Sequence, residues 1–413
     1  MEISIIGGDL RAVKLIKLLA QDKNKIKAWG FENCEELLDF EKKNDNLKIH
    51  NNLDEALQNQ IIIGPTPFTK DRKYICTHYT NQKLEIQTLA NKIRDKLLIG
   101  GSVPAEILEQ IETIDILKDE RLVILNAIST VEGTIEIAIK ETQKNLYNSN
   151  ILIIGYGRIG KILVDRLTAF KANVYCSARG KDITWIEAYG SKSIEYEELN
   201  KKIDMFDIII NTAPVLILNK KRLELLNKNT LLIDVASAPG GIDFEVARQL
   251  NIKTIWALGI PGKIAPISSA EYIKETIYNI IKERNETIIL GVIQGLTEFL
   301  PISSSAHLNL FPWLLKWQSM PDSFDVALHV GTLLAIVVYF FKDWIKLIVG
   351  GYKQVVKKEK TIEGKIFWQL VIATIPAGIL SLILDKISSK IIGDNLNLKM
   401  ILIAIALIVM GIL

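Results

Sequence analysis

The chain has 413 residues, enough for two or three domains with ample core. A formal net charge of +3, from 50 basic and 47 acidic residues, offers no basic field for nucleic acid, so no nucleic-acid partner is expected. Cys34, Cys76 and Cys176 lack the paired spacing of a metal site or a disulfide framework and read as small buried residues of a reducing compartment. Residues Met1 to Ile6 lack the basic region and apolar run of a signal peptide, read as a first strand, and start the chain in the cytoplasm.

From residue 1 to 128, short apolar runs alternate with helical patterns: Ile3–Ile6, Ile26–Trp29, Ile61–Ile63, Leu97–Ile99 and Leu122–Leu125. That rhythm predicts an open, mostly parallel sheet with helices on both faces, whose ligands collect at the carboxyl ends of the strands. Gly7-Gly8-Asp9-Leu10-Arg11 follows the first run. Gly7 and Gly8 are candidates to bind an anion through backbone N–H groups, and Arg11 to pair with a carboxylate. The competing reading is a tight turn in which Asp9 caps the next helix. His50 and His78 read as surface or satisfied histidines.

From 129 to 284 a second sheet is expected, entered by a helical crossover over Ser129–Lys140 that carries Glu132. Four apolar residues, Ile151–Ile154, run into Gly155-Tyr156-Gly157-Arg158-Ile159-Gly160, with a helix over Lys161–Phe170 and a strand over Asn173–Ser177. In such a turn the first glycine permits the sharp bend, the second lets the backbone approach a pyrophosphate, and the third lets helix and strand pack. The helix N-terminus, at Arg158 and Ile159, supplies N–H groups and a partial positive charge. Further strands are predicted at Asp207–Asn211, Leu231–Ala236 and Ile252–Leu258, with Asn211-Thr212 and Ser237 at their ends. Ser268-Ser269-Ala270-Glu271 reads as a capping box that opens a helix to Lys282. The end of the second strand carries Ser177-Ala178-Arg179-Gly180-Lys181. With no carboxylate to repel a 2′-phosphate and two cations to pair with it, NADP is favoured over NAD. No histidine lies between His78 and His307, which disfavours alcohol oxidation and suits oxidation of a ring C–N or C–C bond.

These residues resemble the A subunit of bacterial dipicolinate synthase. Carrying the resemblance, in order, are Ile6-Gly7-Gly8-Asp9 with Arg11, Thr130-Val131-Glu132-Gly133-Thr134, the glycine turn, Asn211-Thr212 with Pro214, Asp234-Val235-Ala236-Ser237 with Pro239-Gly240-Gly241, and Gly259-Ile260-Pro261-Gly262-Lys263-Ile264-Ala265-Pro266. The resemblance implies oxidation of a cyclic tetrahydrodipicolinate-type precursor to pyridine-2,6-dicarboxylate, alongside a second subunit, in spore-forming bacteria. Around that dicarboxylate, Gly7, Gly8, Asp9, Arg11, Ser237 and Lys263 are the candidate ligands and Glu132 a candidate proton acceptor.

Beyond about residue 285 the sequence follows membrane physics. Phe324–Phe341, Ile366–Leu384 and Leu398–Leu413 are long, nearly uncharged segments, and the intervening Lys342–Lys365 stretch reads as a basic cytoplasmic loop. Ahead of them lies Gln294-Gly295-Leu296-Thr297-Glu298-Phe299-Leu300-Pro301-Ile302-Ser303-Ser304-Ser305-Ala306-His307. Gln294 and Glu298 share a helix face, and Pro301 is expected to break the helix. Ionisable groups in apolar sequence are costly, so a site is expected: Glu298 as metal ligand or proton carrier, Ser304 as nucleophile, His307 as proton relay, and Gln294 and Ser305 as substrate ligands. The stretch is similar to the N-terminal motif of undecaprenyl-diphosphatase, continuing through Phe324-Asp325-Val326-Ala327-Leu328-His329 and Gly331-Thr332-Leu333-Leu334. The resemblance implies a membrane lipid substrate, undecaprenyl diphosphate. That family's second motif has no counterpart here and no arginine follows Arg284, so weak or no phosphatase activity is expected of this chain alone.

The expected architecture is therefore α/β: two doubly wound Rossmann-like domains (1–128 and 129–284), then an all-α transmembrane segment (285–413) with a re-entrant helix pair and about three membrane helices. It implies a multi-pass membrane protein with a cytoplasmic N-terminal soluble region. A re-entrant pair over 287–316 would put the basic loop and the soluble region on opposite sides, unless the first segment spans fully or the chain joins two genes. Two other functions stay open: the membrane half as the defining lipid diphosphate phosphatase, and a non-catalytic NADP-binding module anchored to the membrane.

Overall fold

The computed structural model describes residues 1–392 apart from 301 and 319, and beyond them residues 400–402, 404–405 and 408–409. Residues 1–279 form one compact unit and residues 280–413 a second.

The first unit holds two six-stranded sheets, and every named strand pair in them is parallel. The N-terminal sheet has the order β3-β2-β1-β4-β5-β6, from β1 (Glu2–Ile6), β2 (Lys25–Trp29), β3 (Leu47–His50), β4 (Ile61–Ile63), β5 (Leu97–Gly100) and β6 (Thr113–Asp115). Between its strands run α1 (Leu10–Gln21), α2 (Glu35–Glu41), α3 (Leu53–Ala56), α4 (Ile86–Lys92) and α5 (Ala105–Leu108). The second sheet has the order β12-β11-β10-β7-β8-β9, from β7 (Asn150–Ile154), β8 (Asn173–Ala178), β9 (Lys192–Glu195), β10 (Ile208–Asn211), β11 (Leu231–Asp234) and β12 (Thr254–Trp256). Its helices are α6 (Glu120–Glu141), α7 (Arg158–Ala169), α8 (Gly180–Ala188), α9 (Lys220–Leu223), α10 (Phe244–Gln249) and α11 (Ile260–Ile264), and α12 (Pro266–Thr297) follows.

Both faces of the second sheet are covered, which is why its strands are apolar at nearly every position. Ile151 and Ile153 of β7 point into one core with Leu163 and Leu167 of α7, while Leu152 and Ile154 point into the other with Leu218 and Leu223. The two doubly wound Rossmann-like sheets are thus as the sequence predicts.

Three local expectations change. Leu122–Leu125 is not a strand but the first turns of α6, whose N-cap Asp119 accepts a hydrogen bond from the Leu122 N–H. A short unbroken apolar run has no period to separate strand from helix. Ser268–Glu271 is not a helix start: α12 begins at Pro266, and Ser269 is buried inside it with its hydroxyl donating to the Pro261 carbonyl. Proline at a first helical position suits that start, because its fixed φ is already helical. Third, the basic stretch after Phe341 is mostly helix rather than loop.

In the second unit, α13 (Ser304–Leu315), α14 (Asp322–Tyr339), α15 (Phe341–Val356) and α16 (Ile362–Ile392) follow the end of α12. Thr297 ends one helix and Ser304 starts the next, giving the helix pair predicted over 287–316; Pro301 lies outside the described residues. Of the expected spans, Phe324–Phe341 runs through α14 to the first residue of α15 and Ile366–Leu384 falls in α16, whereas most of Leu398–Leu413 is outside the described residues. Among the described residues α6 and α14 are long and apolar enough to cross a membrane. Half of α6 is buried, as a core helix of the first unit, whereas α14 buries none of its apolar window.

Candidate functional site

The glycine turn joins β7 to α7. Gly155 has φ +99°, a left-handed conformation that glycine alone adopts without strain. A Cβ on Gly160 would overlap the Gly155 carbonyl, so the third glycine is fixed by packing. Gly157 differs: a Cβ there meets nothing within 4 Å. Open space over the second glycine, between two packed ones, is the shape that a pyrophosphate needs beside a helix N-terminus.

The neighbouring strand ends brace this turn. Thr212 Oγ1 donates to the carbonyl of Ile154 at 2.9 Å. Asn211 is fully buried, and its Nδ2 donates to Ala213 O at 2.9 Å and to Asp234 Oδ1 at 2.8 Å. Asp234, also buried, accepts in addition from the Ala236 and Gly241 N–H groups, at 2.9 and 2.7 Å. Asn211 thus spends its amide on the protein, and Asp234, to which the sequence alone gives no role, organises the loops. Ile159 packs against the core, so only its backbone is available to a ligand. The Arg158 guanidinium is paired with Glu120.

At the end of β8, Ser177 is buried and its hydroxyl has no hydrogen-bond partner, while Arg179 and Lys181 are exposed. Arg179 shares a recess of about 390 Å³ with Glu195, Tyr196 and Glu197. Ala178 is the register partner of Glu195 on β9, and this pairing brings in carboxylates that local sequence around Arg179 does not contain.

In the N-terminal domain, the Gly7 N–H donates to Trp29 O at 2.9 Å and the Gly8 N–H to Cys76 O at 2.8 Å. Both donors are consumed by the backbone, so the expected anion cradle is not formed by them. His78 Nδ1 lies 3.2 Å from the Gly8 carbonyl, as expected of a satisfied histidine; His50 Nδ1 lies 2.9 Å from Glu55 Oε2, while its buried Nε2 has no hydrogen-bond partner. Asp9 is the N-cap of α1. Arg11 is buried and forks onto Asp9, with Nε 3.0 Å from Oδ1 and Nη2 2.7 Å from Oδ2, and it also donates to the Thr66 carbonyl. Burial works to raise the Asp9 carboxyl, but the hydrogen bonds and charge of Arg11 outweigh it and hold it below its usual range. The backbone of α11 sits on this pair, since a Cβ on Gly262 would fall 2.9 Å from Asp9 Oδ2 and 3.0 Å from Arg11 Nε. Lys263, next in α11, is exposed, as are Ser237 beyond β11 and Glu132 on α6. Gly133 packs against Ile260 and Ile264, so Glu132 and Lys263 border the same helix contact.

The second unit gathers a separate cluster. Ser304 Oγ donates to Glu298 Oε2 at 2.6 Å. Gln294 Nε2 lies 2.8 Å from both Glu298 Oε2 and His329 Nδ1. His329 Nδ1 is 3.4 Å from the same carboxylate oxygen, and its Nε2 is 3.4 Å from Ser305 Oγ. His307 is elsewhere: half-buried, with Nδ1 2.8 Å from its own helix's Ser303 carbonyl. The histidine brought to the carboxylate is therefore His329, which sequence spacing alone did not single out. Among the described residues no group of three metal-ligating side chains forms, so Glu298 has His329 as its one companion of that type.

Fold and glycine turn define the first unit as a dehydrogenase-fold module of the nucleotide-binding kind, and the second unit as helical, with a carboxylate, two serines and a histidine drawn together. Family models agree. The N-terminal domain of the dipicolinate synthase A subunit matches residues 2–117, the NAD-binding domain of D-isomer specific 2-hydroxyacid dehydrogenases residues 124–255, and the bacitracin resistance protein BacA residues 287–413. The dipicolinate synthase A subunit of Bacillus subtilis (strain 168) is 29% identical over 293 residues, covering 68% of this chain and 96% of that protein. Its crystal structure superposes with a TM-score of 0.60 over the same shares. The undecaprenyl-diphosphatase of Caldicellulosiruptor bescii is 46% identical over 126 residues, 30% of this chain and 44% of that protein. Residues 1–284 resemble the dipicolinate synthase A subunit, and residues 286–413 resemble the N-terminal half of undecaprenyl-diphosphatase. The chain spans less than half the length of that diphosphatase.

Proposed function

We propose that the first unit is a nicotinamide-dinucleotide-linked dehydrogenase of dipicolinate synthesis, oxidising a cyclic tetrahydrodipicolinate-type precursor to pyridine-2,6-dicarboxylate together with a second subunit. The observation that carries this reading is the open space over Gly157, flanked by the packed Gly155 and Gly160. Gly157, the N–H groups of Arg158 and Ile159, and the Thr212 loop would hold the dinucleotide. When bound, its nicotinamide supplies the acceptor for a hydride; a ring two double bonds short of the aromatic level needs two such transfers, each with loss of a proton, or one where the precursor also eliminates water. Lys263 and Ser237, both exposed, are the donors proposed for substrate carboxylates, and Glu132 is proposed to take the proton. Arg11 is assigned an indirect part: forked onto Asp9 under Gly262, it holds the backbone that carries Lys263. At the ribose 2′ position, Arg179 and Lys181 support NADP, and Glu195 and Glu197 beside Arg179 support NAD.

The test is titration of intrinsic tryptophan fluorescence with NADH and NADPH, followed by ultraviolet detection of dipicolinate with the second subunit present. Saturable binding of either dinucleotide and product formation are expected. Absence of binding to both would overturn the reading, and binding without product would leave a dinucleotide-binding module.

A second reading rests on the Ser304–Glu298 hydrogen bond with His329 beside it. Here the second unit acts on a lipid diphosphate such as undecaprenyl diphosphate at the membrane, with Glu298 accepting the Ser304 proton and His329 aligning the carboxylate. Phosphate release from that lipid by the purified chain, lost in Ser304→Ala, is its test.

A further inference from the structure

Helix α15 is 16 residues long and so spans about 24 Å, short of the roughly 30 Å of a bilayer's hydrocarbon core. It also carries Lys346 in its interior, which a crossing helix would have to bury, and Lys342, Asp343 and Lys353 toward its ends. Its two sides are chemically different. Gly350 and Gly351 face α16: a Cβ on Gly350 would fall 2.8 Å from Glu363 Cβ, and one on Gly351 would overlap the Phe367 ring. The Trp368 indole N–H donates to the Gly351 carbonyl at 3.3 Å, closing that seam. A step of about 100° per residue puts Ile345, Ile348, Val349 and Tyr352 on an arc turned away from the glycines, with Trp344 and Val355 at its border toward Gly351, and these six side chains are 37% to 60% exposed. The same step lines up Lys342, Lys346 and Lys353 along one edge of the arc, and Lys357, Lys358 and Lys360 continue the charge past the helix end.

We propose that α15 lies flat in the headgroup region of an anionic lipid leaflet, its apolar arc sunk toward the acyl chains and its lysine row on the phosphates. An apolar arc bordered by lysines, with tyrosine within it and tryptophan at its border, is the pattern of an interfacial helix. A second copy of the chain is a poorer occupant, because a twofold contact would set one lysine row against its equal. This inference does not depend on either catalytic reading.

The test uses the full chain, reconstituted in vesicles of phosphatidylcholine alone or with about 30% phosphatidylglycerol. Ile348→Cys and Lys346→Cys variants carry an environment-sensitive fluorophore; Cys34, Cys76 and Cys176 are buried, so labelling is selective. In anionic vesicles the label at 348 should be quenched by aqueous iodide about fivefold less than the label at 346. It should also respond more to a nitroxide near the lipid headgroup than to one at the chain end. Replacing Lys342, Lys346 and Lys353 by Gln should erase the difference between the two vesicle types for the 348 label. Equal iodide access at both positions would overturn the proposal. So would stronger quenching by the deep nitroxide, which marks a spanning helix, or shielding that rises with protein density irrespective of phosphatidylglycerol, which marks a second copy.

Discussion

Ser304 Oγ lies 2.6 Å from Glu298 Oε2, and the side chain that ties this pair to His329 is Gln294, whose Nε2 reaches both Glu298 and His329 at 2.8 Å. Gln294 is buried and its Oε1 has no hydrogen-bond partner, so its place is set by the amide donor alone. Gln294→Leu keeps the volume but removes that donor. It should cost about 1–3 kcal/mol, the usual penalty for stranding a partly buried polar group. His307→Ala, on a ring outside the cluster, should stay within about 0.5 kcal/mol. Thermal unfolding of the purified chain in detergent compares the two; an equal or larger loss for His307→Ala would mean the wrong histidine has been placed in the cluster.

The glycine turn predicts opposite outcomes for two alanines. Gly160→Ala forces a methyl into the Gly155 carbonyl and should destabilise the first unit by about 1–3 kcal/mol, the cost of overpacking. Gly157→Ala has room and a φ of −81°, so folding should be unchanged while dinucleotide affinity falls, because the methyl fills the space left for the pyrophosphate. Melting temperature and a fluorescence titration separate them. Unchanged affinity in Gly157→Ala would place the dinucleotide elsewhere.

Much of this was legible in the sequence, and the failures have physical causes. The β7 turn carries its own signal, since strand, glycines and helix are contiguous. Leu47–His50 and Thr113–Asp115 are strands of four and three residues at the sheet edges, too short to show a period. Leu122–Leu125 is apolar at every position, and only the Asp119 cap decides for helix. His329 is 31 residues from Glu298, so no local spacing could pair them; the helix pair ahead of α14 does so in space. Glu195 reaches the Arg179 recess by strand register, which sequence near Arg179 does not encode. Gly7 and Gly8 look like an anion cradle until the carbonyls of Trp29 and Cys76 are placed against their N–H groups.

The Asp9–Arg11 pair sets a pH dependence. Burial opposes ionisation of Asp9, yet Arg11 holds its pKa below the ordinary 3.8. A lowered folded pKa gives stability that is present above the unfolded value and is lost as pH falls through the folded one. Asp9→Asn should therefore cost about 3 kcal/mol at neutral pH, because it leaves a buried guanidinium without its counter-ion. That difference should hold down to about pH 4 and shrink below it. Urea titrations of both proteins at several pH values measure the gap; a gap that stays constant into strong acid would show that Asp9 is not the titrating group.

Cys176 gives the opposite sign. It is fully buried on β8, and desolvation pushes its thiol from 9.0 up to about 12. A raised folded pKa contributes stability that is complete below the unfolded value and is lost as pH climbs toward the folded one, so the first unit should weaken above about pH 9. Cys176→Ala should remove that alkaline loss while opening a small cavity that costs about 1 kcal/mol at pH 7. Reactivity follows from the same burial. At about pH 8 the native thiol is ionised in only about one molecule in ten thousand, so alkylation should proceed through local opening of β8 rather than through the folded state. Mass spectrometry of timed alkylation pulses in increasing urea should show Cys176 modified in step with unfolding of the second sheet. Rapid modification in the absence of urea, with the fold intact, would show that the thiol is not sealed between the sheet and α7.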